Sequence, residues 1–345
     1  MKDFARRLIA WQRTHGRHDL PWQNTTDPYR VWLSEIMLQQ TQVATVVPYY
    51  TRFLARLPTL ADLAAAPVED VMALWSGLGY YARARNLHAC AQAVMKAHGG
   101  AFPRAPAAIA ALPGIGRSTA NAIAVFCFGA RAPILDGNVK RVLCRYCGIE
   151  GFPGTQAVER QLWQLAAELL PAAETGTYIQ AQMDLGATLC TRAQPRCGAC
   201  PLAAQCVAYA SGRTAELPQG KPRRALPQRE ATLLVLRHDA RVLLEARPPA
   251  GIWGGLLSLP ELPPGTDVSA HAATLGCRVL DVTELPLLVH NFTHFRLTLR
   301  PLLVRAAPLP HAAEAGRRWL AAAEMQAAPL PAPIRKLLAS VSDSL

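Results

Sequence analysis

The chain lacks any long hydrophobic run. Its 345 residues contain no uninterrupted stretch of about 18 apolar residues, the length that spans a bilayer. The N-terminus, MKDFARRLIAWQR, also lacks the apolar segment and cleavage site of a secretory signal peptide, and its pattern indicates an amphipathic helix. We therefore expect no membrane association and a cytoplasmic, nucleoid-associated location. There the nine cysteines would be metal ligands or buried thiols, not disulfides.

Acidic residues are scarce in the first two thirds of the chain. Residues 1–230 carry 25 Lys and Arg against 15 Asp and Glu, whereas residues 231–345 carry 11 against 9. The excess of positive charge is therefore +10 in the first part and +2 in the second. A basic first part indicates a polyanionic partner, with a charge that serves only solubility as the alternative.

The length suits two domains, and the period of the apolar residues changes between them. Residues 1–210 have helical periodicity, and Asp27-Pro28 predicts the start of a helix that runs over 28–43. Residues 211–229 are rich in Pro and Arg and predict a linker. Residues 230–345 predict a mixed α and β domain, with two strands joined at His238-Asp239 and an alternating stretch over 292–304.

Four cysteines are close together near the end of the first domain, in CTRAQPRCGACPLAAQC at 190–206. Four thiolates within so short a loop suit zinc or an iron–sulfur cluster. A zinc ribbon usually pairs two CxxC knuckles about 15–20 residues apart, and this loop has one, so the uneven spacing favours [4Fe–4S] over zinc. The other CxxC, Cys144 to Cys147, lies on an apolar helical stretch and is interpreted as core.

The stretch LPGIGRSTANAI, at 112–123, predicts a tight turn that leads into a helix. Gly114 and Gly116 allow close approach of a ligand to backbone N–H groups, and the helix dipole behind them favours an anion. The match to a phosphate loop is poor, because no Gly-Lys-Ser/Thr follows and no strand precedes. A helix-hairpin-helix that grips one nucleic-acid phosphate is the better interpretation, although such a turn can also be only a turn.

Two carboxylates are candidates for chemistry. Asp136, in ILDGNVKRV, lies where a helix begins, so it is either a helix N-cap or a carboxylate facing a sugar beside the gripped phosphate. Glu35, in SEIMLQQTQ, is either an exposed helical glutamate or a group that apolar neighbours partly bury. Burial would favour the protonated form that a general acid needs.

These features together resemble the helix-hairpin-helix DNA glycosylases of the endonuclease III superfamily. Within it the chain is similar to the MutY-type adenine DNA glycosylases, on SEIMLQQTQV, GLGYYARARNLH, LPGIGRSTA, LDGNVKRV and an additional C-terminal domain. The resemblance implies an all-α glycosylase domain over 1–210 with a [4Fe–4S] cluster, held by Cys190, Cys197, Cys200 and Cys206. It also implies a monomer that acts on double-stranded DNA carrying adenine opposite 8-oxoguanine or guanine.

The resemblance further assigns residue roles. Glu35 protonates adenine N7 and Asp136 stabilises the sugar cation, while Asn138 and Ser118 orient these groups or water. Ser118 replaces the lysine nucleophile of bifunctional relatives, which implies a monofunctional enzyme. Gln40, Tyr80 and Leu78 are implied to wedge into the duplex, Leu20, Trp22 and Gln180 to line the adenine pocket, and Arg192 and Arg196 to meet phosphates.

The second domain resembles the Nudix-like 8-oxoguanine recognition domain of the same family. Gly255-x5-Glu261 is similar to the start of a Nudix box, but the remaining carboxylates of that box are missing, so Mg²⁺-dependent hydrolysis is not expected. Phe292-Thr293-His294 stands where the family reads 8-oxoguanine; the alternative is a plain strand. The alternative functions are an endonuclease III-like lyase, a DNA-binding iron–sulfur protein without activity, and a Nudix hydrolase.

Overall fold

The computed structural model describes residues 3–221, 225–248, 251–309 and 316–342. Two compact units make up the chain. Met1–Ala65 with Asn86–Arg223 forms the first, which we call the helical unit, and Ala66–Arg85 with Arg224–Leu345 forms the second, which we call the sheet unit. None of the helices among the described residues has the length and apolar character needed to cross a membrane.

Helices account for the regular structure up to residue 210, apart from two short 3₁₀ turns at Cys197–Ala199 and Ala203–Gln205. In chain order they are α1 Phe4–His15, α2 Pro28–Leu38, α3 Val43–Arg56, α4 Leu60–Ala65, α5 Val68–Trp75, α6 Ala82–His98, α7 Pro106–Ala110, α8 Arg117–Phe128, α9 Gly137–Cys147, α10 Gln156–Glu168, α11 Thr175–Thr188 and α12 Val207–Ala210. The predicted all-α first domain is confirmed. The core of the helical unit includes Phe4, Leu143, Leu162 and Ile179.

The start of α2 is confirmed and its predicted end is wrong. Asp27 caps the helix by accepting a bond from Tyr29 N at 2.9 Å, and Pro28 occupies the first helical position. The helix ends at Leu38 instead of continuing to residue 43, because Gln39 has a non-helical ψ of 111° and Gln40 follows with a left-handed φ of +56°. The chain resumes as α3 from Val43.

The predicted helix-hairpin-helix is present as α7, a turn at 111–116, and α8. Gly114 has φ +73°, and a Cβ placed there would lie 2.5 Å from the Cβ of Asn86. Only glycine therefore satisfies both the turn and the close packing against α6. Gly116 is the N-cap of α8 and has no side chain to cap it, so the N–H groups of the first turn are left for a ligand.

The sheet unit has one eight-stranded mixed sheet. Its elements are β1 Gln228–His238, β2 Arg241–Ala246, β3 Leu257–Ser258, β4 Glu261–Leu262, α13 Val268–Thr274, β5 Cys277–Glu284, β6 Leu288–Asn291, β7 Arg296–Pro308, β8 Arg317–Ala321, α14 Ala322–Ala327 and α15 Ala332–Ser342. The central path runs β3-β2-β1-β7-β5, and β1 pairs with β7 in parallel. The predicted hairpin at His238-Asp239 is confirmed, since His238 pairs with Arg241.

Both faces of β1 are covered. Leu233 and Val235 pack in one core cluster with residues of α15, whereas Leu234 and Leu236 pack in another with Ala272 of α13. Helices on both faces of the sheet are the reason that the strand is continuously apolar instead of alternating. The predicted mixed α and β second domain is confirmed.

Two segments differ from the sequence-based expectation. Residues 66–85, which helical periodicity placed in the first domain, belong to the sheet unit. Within the predicted linker 211–229, Leu217 is buried and its carbonyl accepts a bond from Arg145 Nε at 2.7 Å, so this part packs on the helical unit. Strand β1 already begins at Gln228, and residues 222–224 lie outside the described part of the chain.

Candidate active site

Glu35 lies in the middle of α2 and faces a cavity of about 300 Å³ in the helical unit. The neighbouring side chains on its helix, Ser34 and Ile36, are buried. Three of the residues assigned to a pocket by resemblance line the same cavity: Leu20, Trp22 and Gln180. The cavity thus brings together a carboxyl group, an indole and an amide from parts of the chain far apart in sequence.

The Glu35 carboxyl group remains partly protonated near neutral pH, where an ordinary glutamate is ionised. Burial, and to a smaller extent the charge of Asp136, together raise its pKa to about 7. The two carboxyl groups of the helical unit therefore affect each other electrostatically. A carboxylic acid with a pKa of about 7 can donate a proton to a bound ligand at physiological pH.

This raised pKa predicts a measurable cost in stability. The folded protein keeps the Glu35 proton up to about pH 7, whereas the unfolded chain loses it near the ordinary value of 4.5, so the free energy of unfolding falls as pH rises between these values. The full difference is roughly 3 kcal/mol. We expect Glu35→Gln to be more stable than the unmodified chain at pH 8 by an amount of this order, and nearly equal to it at pH 4. Urea unfolding at both pH values measures the difference, and equal stability at pH 8 would contradict the burial argument.

Asp136 is the N-cap of α9, and it is a half-buried carboxyl group that interacts electrostatically with Glu35. Its Oδ1 accepts a bond from Val139 N at 2.8 Å, and its Oδ2 accepts one from Asn138 Nδ2 at 3.1 Å. Burial raises the pKa of Asp136, while these two bonds and the Arg141 guanidinium oppose the rise. The alternatives drawn from the sequence are therefore not exclusive, because the capping carboxylate is also the one that interacts with Glu35.

Polar side chains of α8 hold the segment that leads to Asp136. Ser118 Oγ accepts a bond from Leu135 N at 3.0 Å, and Asn121 Nδ2 donates to Pro133 O at 2.6 Å. Ser118 thus acts on the backbone next to Asp136, and its hydroxyl accepts a bond here instead of standing free. Asn121 was missed by sequence reasoning, because nothing in its local pattern distinguishes it from an ordinary helical residue.

Asn138 is fixed from three sides. Besides its bond to Asp136, its Oδ1 accepts from Arg141 Nη2 at 2.8 Å. Arg141 also donates from Nη2 to Gly186 O at 2.7 Å and from Nε to Cys190 O at 2.7 Å. A Cβ at position 186 would lie 2.5 Å from the Asn138 Cβ, so α11 can approach α9 here only with glycine.

A buried ion pair behind the cavity was also missed. Asp184 is 0% exposed and accepts bonds from Arg17 N at 2.9 Å and Arg17 Nε at 2.8 Å. Gln180 Nε2 donates to the same carboxylate at 2.9 Å, which fixes the amide in the cavity wall. No spacing rule connects positions 17 and 184, so only the folded chain reveals the pair.

The residues expected to wedge into a duplex have two different environments. Gln40 and Tyr80 are exposed, Tyr80 by 47%, and both have left-handed backbones, with φ +56° and φ +49°. Leu78 is 6% exposed, so its side chain is buried and not available at the surface. Arg83 Nη2 donates to the carbonyls of Leu78 and Gly79 and stiffens this loop.

The four clustered cysteines, Cys190, Cys197, Cys200 and Cys206, line one small cavity of about 30 Å³. Within the described ranges, no three His, Cys, Asp or Glu side chains form a site for a single metal ion. Cys147, from the more distant CxxC, lies near enough to Cys206 for the two thiols to interact electrostatically, but it does not line the cavity. Arg192 and Arg196 of the loop are exposed.

Arg145 places a buried positive charge beside the cysteines. It is 2% exposed, and its Nη1 lies 3.4 Å from Cys190 Sγ. Its other bonds go to the carbonyls of Thr191, Arg192 and Leu217, and none of the ion pairs found among the described residues includes it. A buried cation without a carboxylate partner suits an anionic group held by the four thiolates.

In the sheet unit, Phe292-Thr293-His294 lies in the loop between β6 and β7. The alternative prediction, a plain strand, is therefore wrong for these three residues. Thr293 and His294 are exposed, whereas Phe292 is half-buried and stacks on Phe295 with ring centroids 4.4 Å apart. The ring centroids of Trp253 and Phe292 are 5.9 Å apart. Glu261, of the incomplete Nudix box, forms an ion pair with Arg247 at 3.1 Å.

Comparisons with known proteins match both parts of the chain. Residues 33–168 match the model of HhH-GPD superfamily base excision DNA repair proteins, and residues 231–340 match that of the NUDIX domain. The adenine DNA glycosylase of Buchnera aphidicola subsp. Acyrthosiphon pisum is 35% identical over 97% of this chain and 96% of its own length. That of Mus musculus is 36% identical over 99% of this chain and 78% of its own length. A solved thermostable thymine-DNA glycosylase superposes with a TM-score of 0.56 at 30% identity, covering 61% of this chain and 96% of that one.

Proposed function

This chain belongs to the adenine DNA glycosylases of the HhH-GPD superfamily, and we propose that it removes adenine that lies opposite 8-oxoguanine or guanine in double-stranded DNA. One observation carries the proposal for the site. Glu35, with a pKa raised to about 7, lines a cavity together with Leu20, Trp22 and Gln180, and Asp136 lies close by. A cavity of about 300 Å³ with an aromatic wall and a few polar groups suits one flipped base.

The chemistry follows from what limits the reaction. Adenine is a poor leaving group as an anion, so its ring must gain a proton while positive charge develops on the sugar. Glu35 supplies that proton to N7, and Asp136 in its carboxylate form stabilises the sugar cation, the division of roles seen in glycoside hydrolysis. The bonds donated by Val139 N and Asn138 favour this charged form of Asp136.

The reaction stops at the abasic site. A strand cut through a Schiff base requires an amine, and position 118 offers a hydroxyl that accepts a bond from Leu135 N. The first turn of α8, next to Gly114 and Gly116, grips a phosphate of the DNA backbone without reading sequence. Gln40 and Tyr80 fill the space that the flipped nucleotide leaves.

We assign a [4Fe–4S] cluster to Cys190, Cys197, Cys200 and Cys206. The shared cavity and the buried Arg145 support an anionic cluster, and the single CxxC knuckle with its uneven spacing favours [4Fe–4S] over zinc. When bound, the cluster supplies a rigid crosslink of the loop and no step of base removal. Arg192 and Arg196 then meet phosphates from a fixed loop.

Removing one cluster ligand should weaken DNA binding more than it lowers the unfolding temperature. We expect Cys197→Ser to lose iron and to bind mismatched duplex about tenfold or more weakly, because a mobile loop no longer holds its arginines near phosphates. Cys147→Ala is the matched control and should retain iron and affinity, since Cys147 does not line the cavity. Iron content, blue-region absorbance and DNA titration measure the effect. Unchanged affinity of an iron-free Cys197→Ser would contradict the assignment.

Phe292, Thr293 and His294 are proposed to recognise 8-oxoguanine opposite the adenine. The exposed hydroxyl and imidazole next to a stacked phenyl ring can hydrogen-bond a base edge while the ring excludes water. Glu261 is paired with Arg247, and the sequence lacks the remaining carboxylates of a Nudix box, which argues against a Nudix hydrolase.

One assay tests the proposed function. The protein is incubated with duplexes that carry adenine opposite 8-oxoguanine, guanine or thymine, and the strands are analysed before and after alkali. We expect cleavage only after alkali, with 8-oxoguanine and guanine opposite adenine and little with thymine. A nick before alkali would instead support an endonuclease III-like lyase, and binding without any alkali-sensitive site would support a non-enzymatic damage sensor.

A further inference from the structure

Segment 66–85, which ends in the first turn of α6, is tied to the sheet unit by two sets of hydrogen bonds. Arg85 Nη1 donates to Gly254 O at 2.5 Å. Ser76 Oγ donates to Leu330 O at 3.2 Å and accepts from Arg335 Nη2 at 3.1 Å. The exposed Tyr80 lies between these ties, so its loop is anchored on both sides.

Arg85 donates to the turn at 253–255, which has two residues with left-handed backbones. Trp253 has φ +55° and Gly255 has φ +75°, and a left-handed tryptophan costs about 1–3 kcal/mol unless surrounding contacts impose it. Arg85 supplies such a contact to the residue between them, and its Cδ lies 3.7 Å from the position of a Cβ on Gly255. The same turn puts the Trp253 ring 5.9 Å from Phe292.

The loop that carries Tyr80 is also held in place at the start of α6. Arg83 N donates to Tyr80 O at 2.9 Å, and the Arg83 guanidinium lies 5.6 Å from the centre of the Tyr80 ring. Tyr80 and Arg85 are thus fixed to each other through one helical start. The contacts of Tyr80 are with Arg83, which the first turn of α6 joins to Arg85, and from Arg85 the contacts continue through the 253–255 turn to Phe292.

We infer that Arg85 is a positioning residue for the choice of base opposite the target adenine. Its bond to Gly254 fixes the Tyr80 loop relative to Phe292–His294, so the two parts that meet the opposite base cannot adjust independently. The inference rests on the proposed function, since it takes Tyr80 as the wedge and Phe292–His294 as the reader of 8-oxoguanine.

A rigid connection between the Tyr80 loop and Phe292–His294 would increase the discrimination between 8-oxoguanine and guanine. If the wedge and the reader moved separately, guanine opposite adenine would be accommodated by a shift of either part. With both fixed, a base that lacks the 8-oxo group leaves a polar group of the reader unpaired. One charge-assisted hydrogen bond corresponds to about a tenfold change in an equilibrium or a rate ratio.

Arg85→Met tests the inference, because it keeps most of the side-chain length and removes the donor. Excision is measured under single-turnover conditions below saturation, with adenine opposite 8-oxoguanine and opposite guanine, and the ratio of the two rate constants gives the preference. We expect the ratio to fall about tenfold. Arg85→Lys, which retains a donor, should restore part of it. The preference loss of Arg85→Met combined with Phe292→Ala should equal that of Phe292→Ala alone.

The alternatives give different results. If Arg85 only contacts a phosphate, both rate constants fall equally and the ratio stays constant, which overturns the inference. If it only stabilises the fold, Leu234→Ala, a core substitution outside the 66–85 segment, lowers the ratio as much as Arg85→Met at matched stability, and this also overturns it. If the unmodified protein shows no preference for 8-oxoguanine, the proposed reader fails and the inference fails with it. A normal preference that survives Arg85→Met refutes the inference alone. Should Arg85→Met not fold, Arg85→Gln gives the same comparison.

Discussion

Glu35→Gln should lower the single-turnover rate constant for adenine release at least about a thousandfold, while mismatched duplex still binds with nearly unchanged affinity. The amide keeps the shape of the side chain in the cavity wall but has no acidic proton to give to N7. Glu69→Gln, an exposed glutamate in the first turn of α5, is the matched control and should leave the rate unchanged. A Glu35→Gln rate within tenfold of normal would refute the assignment.

The pH dependence of the unmodified protein provides a second check on the same residue. Above about pH 7 the Glu35 proton is lost in the free protein, so the rate constant under subsaturating conditions should fall. It should fall again in acid as Asp136, whose pKa is raised by burial, gains a proton and loses the charge that stabilises the cation. A rate that stays constant from pH 6 to pH 9 would mean that no group with the pKa of Glu35 takes part.

Asp136→Asn has the other large expected effect, a fall in the release rate of about a hundredfold to a thousandfold. Asparagine is as good an N-cap as aspartate, so its amide oxygen keeps the bond from Val139 N, while the negative charge and the acceptor for Asn138 Nδ2 are removed. We therefore expect a change of less than about 1 kcal/mol in the free energy of unfolding. This separates the structural role of Asp136 from its chemical one.

The chain contains a matched control for this substitution. Asp267 caps α13 with the same geometry, accepting from Ala270 N at 2.9 Å, and it is exposed in the sheet unit. Asp267→Asn should leave both stability and activity nearly unchanged. If Asp136→Asn retained full activity, Asp136 would be only a cap and the proposed stabilisation of the cation would be wrong.

Local signals in the sequence were sufficient for much of the fold. The start of α2 at Asp27-Pro28, the helical hairpin around Gly114 and the strand pair at His238-Asp239 each depend on a few neighbouring residues, and the structure confirms them. The end of α2 was not predictable in this way. The apolar pattern continues past Leu38, and the break depends on the left-handed backbone of Gln40, a residue with no preference for it.

Features formed by distant residues could not be derived from spacing. Arg17 and Asp184 are 167 positions apart, yet they form the pair that fixes Gln180. The membership of 66–85 in the sheet unit depends on bonds to positions 254, 330 and 335. The proximity of Glu35 to Asp136 was itself expected from family resemblance, and periodicity only suggested that each was at a helix start or partly buried.

The claim that Glu35 protonates the adenine ring at N7 is tested most directly with an altered base. A duplex that carries 7-deazaadenine opposite 8-oxoguanine keeps the size and pairing edge of adenine but has a carbon in place of N7. The account predicts that the unmodified protein binds this duplex as tightly as the adenine duplex and releases no base from it within the time of many normal turnovers. Release at a rate near that of adenine would contradict proton transfer to N7 and, with it, the role of Glu35.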